Sequence, residues 1–255
     1  MGSSSPSRAA ATARADGAVA ADVTLVTTAA QDTAAMLPEA ITALAAGLLA
    51  GEDVGPRTRA DLAEARARHR EVQAVTRAVV AAGTPGAPTR VQALAQERLG
   101  ELAVRCLHLL RRAAQAAADA DVTAWNAEVR AALTDLASIA ASAHRLAAPA
   151  DGQGRETLAR LVDLRRSAAR TRSRLIEAAE AAPARRGGNT RGAGGPSGPD
   201  PQIEALRSLA RYLERVADLA VSIACEHRNA AGRPSAERRR SVRAPRPPRA
   251  PRTAV

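Results

Sequence analysis

The chain has 255 residues, is 46% apolar and 25% charged, contains one Trp, one Tyr and no Phe, and carries a formal net charge of +11. That length suffices for one large domain or two modest ones with a sizeable core. Ala, Leu, Arg and Glu so outnumber β-branched and aromatic residues that an extensive sheet is excluded, and the expected class is all-α.

In chain order, the Ser-, Ala- and Gly-rich residues 1–23 are expected to be disordered and lack the Leu-rich centre of a secretory signal. Six helices follow, over 24–50, 58–82, 88–117, 122–148, 155–182 and 201–229. They are separated by "GEDVGP", "GTPGAP", "DAD", "APADGQG" and a Gly/Pro-rich loop at 183–201. The uncharged run Ala40 to Gly51 is shorter than the roughly 20 residues that cross a bilayer, so no transmembrane segment is predicted and the expected location is cytoplasmic. The chain ends in an Arg/Pro-rich tail, 230–255, whose prolines forbid continuous helix. All 37 basic residues are arginine, and from Asn229 onward eight arginines against Glu237 give +7 of the +11. Cys106 and Cys225 are too few and too far apart for a disulfide framework or a CxxC metal clip, and both are expected to be small buried hydrophobes.

Long helices joined mostly by short loops predict antiparallel bundles. In the last helix Leu206, Leu209, Leu213, Val216, Ala220, Ile223 and His227 step by three and four, a coiled-coil-like seam with His227 at its solvent end. The same helix is echoed earlier. Shifting by 117 residues places "ERLGELAVRC" (97–106) on "ERVADLAVSI" (214–223) and matches Glu97 with Glu214, Arg98 with Arg215 and Glu101 with Asp218. Each copy falls in the third helix of three, after a Gly/Pro-rich break, which predicts tandem duplication of a three-helix unit, 24–120 and 121–229.

"RYLERVADLAVSIA" resembles the signature helix of the PhoU family, and "ERLGELA" resembles its first copy with Glu101 in place of the usual Asp. The resemblance covers roughly residues 24–229. It implies two tandem antiparallel three-helix bundles related by an internal pseudo-twofold. It further implies a non-enzymatic negative regulator of phosphate uptake and phosphate-starvation signalling that docks to a sensor histidine kinase and a phosphate ABC transporter. Many members of the family hold metal ions through acidic pairs on each bundle. By resemblance, Glu97, Glu101, Glu214 and Asp218 are candidate ligands for a divalent or iron-type ion, and Arg98, Arg215 and Tyr212 are candidate partner-binding residues. Whether two copies form a homodimer is left open by the sequence.

Two readings of the acids stand side by side. Acids at i and i+4 share one helix face and can offer oxygens to an ion, but a cation wants four to six ligands and the rest must come from neighbouring helices. The second helix of the first unit offers Asp61, Glu64, His69 and Glu71; that of the second offers only Asp163 among Arg165, Arg166, Arg170, Arg172 and Arg174. The alternative is pairing with arginines, Glu101 with Arg105 and Arg211 with Glu214 on their own helices or with a neighbouring helix. Trp125 and Tyr212 read as packing anchors, and His108 and His144 have no partner at metal spacing. The sequence offers no Ser/His/Asp or Cys/His constellation, phosphate-cradling Gly loop or Walker motif, so no catalytic residue is assigned. Nonspecific contact with nucleic acid through the arginine tail is the competing function, and a metal-binding bundle is the third.

Overall fold

The computed structural model describes residues 8–82, 88–148, 155–181 and 200–231, with side chains in the first helix described from Ala21 onward. Among them are six α-helices and no strand: α1 (Arg8–Ala50), α2 (Gly55–Ala82), α3 (Pro88–Ala120), α4 (Ala127–Ala147), α5 (Arg155–Ala181) and α6 (Pro201–Ala230). The all-α expectation holds. The Gly/Pro-rich loop lies outside the described residues up to its last two, and the tail lies outside them from residue 232 on.

Helix boundaries follow local chemistry. α6 opens with Pro201 at its first turn and with the Asp200 carboxylate accepting from the Gln202 N–H at 2.9 Å, satisfying one free donor of the helix start. Asn126 caps α4 through the Val129 N–H at 2.9 Å, so the fourth helix begins later than its expected start at 122. The intervening residues Val122–Ala124 form a single 3₁₀ turn. Asp121, at φ 40°, turns the chain there. Trp125 is anchored by its indole N–H on the Ala120 carbonyl at 2.8 Å and packs on the core, as an anchor should.

α1 corrects the sequence reading: residues 8–23, expected to be disordered, continue the helix toward the N-terminus. The stretch "RAAATARADGAVA" is dominated by alanine, the strongest helix former, and contains no proline. Pro38 sits inside α1 without breaking it, at the cost of one backbone N–H. Residues Ala21–Ala50 are, by length and composition, apolar enough to cross a membrane, and 44% of their most apolar window is buried within the chain. The uncharged run Ala40 to Gly51 understates this, because isolated acids such as Asp32 and Glu39 bound it on the N-terminal side without making the whole segment polar.

α3 and α6 form the most extensive helix contact; α3 also packs on α1 and α2, α6 on α4 and α5, and α1 on α2 and α4. One continuous apolar core takes residues from all six helices, including Leu37 and Ile41 (α1), Leu62 (α2), Leu107 (α3), Leu133 (α4), Leu175 (α5) and Leu209 (α6). Val23, Val79 and Ala93 make a smaller separate cluster among α1, α2 and α3.

Candidate functional site

The two acidic motifs lie on α3 and α6, the helices that form the centre of the molecule, and each acid flanks a buried seam. Their environments differ. On α6, Glu214 receives the Arg172 guanidinium from α5 at 2.8 Å, and Asp218 receives Arg165, also from α5, at 2.9 Å. The pairings expected within the helices, Arg211 with Glu214 and Glu101 with Arg105, do not form. Because α5 packs directly on α6, its arginines reach the carboxylates across the groove. Arg172 and Arg165 thus fix the rotation of α6 against α5.

The two bridges should differ in strength, since the Glu214 side chain is only 16% exposed and Asp218 is 36% exposed. A double-mutant cycle with Arg172→Met and Glu214→Gln, followed by urea unfolding, should return a coupling of about 1 to 2 kcal/mol. The same cycle on Arg165 and Asp218 should return about 0.5 kcal/mol or less, because water screens an exposed pair. Equal couplings would remove the special status of the inner bridge.

On α3 the acids meet a histidine instead. Gly100 lies between Glu97 and Glu101, and the imidazole of His69 from α2 occupies the space a side chain would take: a Cβ at residue 100 would stand 2.8 Å from His69 Nδ1. That nitrogen is buried without a hydrogen-bond partner. Burial lowers the proton affinity of His69, and the carboxylates of Glu97 and Glu101 oppose that shift without reversing it. No ion pair forms at Glu97 or Glu101 among the described residues.

These surroundings bear on the metal reading. Both α6 carboxylates are already neutralised by guanidinium groups, which do not fit a cation. Among the described residues, no three His, Cys, Asp or Glu side chains converge as a metal site requires. Of the other acids on the second helices, Glu64 pairs with Arg68 and Asp163 with Arg166. Among the described residues, the surroundings of these acids do not fit a resident metal ion.

The remaining candidates separate into surface and core. Arg98 and Arg215 are exposed at equivalent places on α3 and α6, whereas Tyr212 is half-buried and packs on the core. Cys106 is buried, and burial pushes its thiol up, but Cys225 is exposed, contrary to expectation. Cys225 falls between the seam positions Ile223 and His227 and so turns away from the core. His227 is the opposite correction: placed by the sequence at the solvent end of the seam, it is 6% exposed, with Nε2 buried and unpartnered. His144 is also in the core. Its Nε2–H donates to the Val216 carbonyl at 2.9 Å and lies 3.9 Å from Cys106 Sγ, joining α3, α4 and α6. A shallow cavity of ≈ 290 Å³ lies between the α1–α2 turn and the end of α3, near Glu52, Asp53 and Asp121.

No protein-family model, curated protein or solved structure matches the chain.

Proposed function

We propose that the chain is a PhoU-like, non-enzymatic regulator of phosphate uptake and phosphate-starvation signalling that works by docking to a sensor histidine kinase and to a phosphate ABC transporter. One observation carries the reading: the two copies of the signature agree in burial as well as in sequence. Aligned over 97–106 and 214–223, they share the same degree of burial at nine of ten positions, Glu101 being exposed where Asp218 is half-buried. Agreement in sequence, in helix order and in burial together supports duplication of one unit.

The packing scheme supports the finer architecture of two three-helix bundles about a pseudo-twofold. Exchanging α1, α2 and α3 with α4, α5 and α6 converts each of the contacts α1 with α2, α2 with α3 and α1 with α3 into another principal contact. The contacts of α1 with α4 and α3 with α6 map onto themselves. Such a molecule presents two related outer faces, each carrying an exposed arginine beside an acidic motif, Arg98 on one and Arg215 on the other. That arrangement suits a protein that bridges two partners. Membrane vesicles holding the sensor kinase and phosphate transporter of the same genome should retain the purified chain. Arg98→Glu with Arg215→Glu should release it, and vesicles that do not retain the wild-type chain would contradict the docking role.

A further inference from the structure

We propose that Glu97 and Glu101 of α3, with Leu94 beside them, form a docking surface for the chain's own C-terminal tail, engaged through Arg238, Arg239 and Arg240. The proposal goes beyond the regulatory reading and stands without it. Its first support comes from the repeat. On α6 the equivalent acids each hold a guanidinium from the adjacent helix, Arg172 on Glu214 at 2.8 Å and Arg165 on Asp218 at 2.9 Å. On α3 the adjacent helix brings the His69 ring instead, whose Nδ1 would stand 2.8 Å from a Cβ on Gly100. Among the described residues, no guanidinium lies within 4.0 Å of Glu97 or Glu101. The acidic pair that binds two arginines in one half of the molecule is therefore open in the other. Glu101 is also where the two copies differ in burial, exposed where Asp218 lies half-covered beneath Arg165.

The second support is where the tail leaves the bundle. α1 and α3 run in the same direction, since Val23 clusters with Ala93 at one end and Gly51 lies against Thr123 at the other. α4 runs opposite to α1, with Arg145 reaching Thr42 and Arg130 reaching Leu49. α5 reverses the chain and α6 reverses it again, so α6 is antiparallel to α3. His144 touches both Cys106 of α3 and Val216 of α6, which sets those two residues level. Fourteen residues onward from Val216, at about 1.5 Å each, Ala230 is level with about residue 92 of α3, roughly 8 Å along the axis from Glu97 and 14 Å from Glu101. The eight to ten residues from Ala230 to Arg238 and Arg240 can span about 26 to 36 Å, enough to pass around α3 to that face.

Charge and surface chemistry fit this occupant. The tail carries +7 of the chain's +11, and Arg238 to Arg240 is its densest run. Arginine forks match carboxylate oxygens, as Arg172 and Arg165 do on α6. Leu94, three residues before Glu97, is 43% exposed and offers apolar surface to the arginine stems. Each exposed ion pair contributes little alone, but a short tether holds the arginines near the acids at high effective concentration. A tail held on α3 is withheld from other polyanions, so this contact and nucleic acid compete for the same arginines.

The test attaches a nitroxide to the full chain carrying Ser241→Cys and Cys225→Ser, and reads the broadening of backbone amide signals by NMR at low salt. Amides from Leu94 to Glu101 should broaden. Those from Glu214 to Asp218 should not, because Arg172 and Arg165 already occupy those acids. Adding Glu97→Gln/Glu101→Gln, or Arg238→Glu/Arg239→Glu/Arg240→Glu, should reduce the broadening by about fivefold or more, the scale of two exposed ion pairs. Combining the arginine reversal with Glu97→Arg/Glu101→Arg should restore it, which a change of fold would not do. Neither acid is in an ion pair within the bundle, so these variants keep the fold, as circular dichroism verifies. A mixture of nitroxide-bearing chains with isotope-labelled chains that carry no nitroxide should show sharp α3 signals. Broadening in that mixture would make a second copy's tail the occupant and overturn the contact within one chain. The proposal is equally overturned if the α3 amides stay sharp in the nitroxide-bearing chain, which would leave the face to a separate partner, if both acidic motifs broaden alike, or if the charge swap fails to restore the signal.

Discussion

Acidification from neutral pH to pH 4 is expected to destabilise the fold by several kcal/mol, most of it through two histidines. His144 and His227 are 3% and 6% exposed, and burial lowers the proton affinity of each to a pKa of about 4, from 6.5. For His144 the hydrogen bond to Val216 opposes the shift without cancelling it. The folded state therefore prefers the neutral ring, and between pH 6.5 and pH 4 the unfolded chain binds more protons. Stability is complete above pH 6.5 and is lost as pH falls toward 4, by up to roughly 3 kcal/mol for each histidine. The shifts at His69 and His108 have the same sign; the raised Asp61, whose burial disfavours its charged form, opposes them.

The sequence repeat supplies a substitution that separates the two histidines. Leu110 is the residue 117 positions before His227, and both are buried. His227→Leu restores the apolar residue of the first copy and removes an unpartnered ring nitrogen. It should raise stability at pH 7 by about 1 kcal/mol or more and remove close to half of the acid sensitivity. Urea unfolding at a series of pH values measures both effects. An unchanged acid limb in this variant would show that His227 titrates normally in the folded chain.

The second large effect concerns the core. Leu209 of α6 is fully buried, and its truncation to Ala should cost about 2 to 5 kcal/mol. Ala220 has no exposed surface and lies in the apolar core, so Ala220→Leu should cost about 1 to 3 kcal/mol by overpacking. Because one core takes residues from all six helices, neither loss should stay local. The single Trp125, between α3 and α4, and the far-ultraviolet dichroism of the helices should report one shared transition that moves in both variants. Separate midpoints for the two signals would mean that the halves unfold independently.

Much of this was legible in the chain. Helical periodicity, Gly/Pro breaks and a proline at the start of α6 located five of the six helices to within a few residues, because these signals act within one or two turns. The 117-residue echo was equally readable. Two of the errors concern contacts between helices. Burial of His227 depends on what packs beside it, and the choice of Arg172 over Arg211 by Glu214 depends on where α5 lies. The helical start of α1 was missed for a local reason, since Ser- and Gly-containing flanks masked an alanine run of high helix propensity.

The regulatory reading is tested most directly in the host. Strains with and without this gene, grown in phosphate-rich medium, should differ in transcription of phosphate-starvation genes. Derepression in the deletion strain, reversed by the wild-type gene, is the expected result. Full repression in the deletion strain would contradict the account.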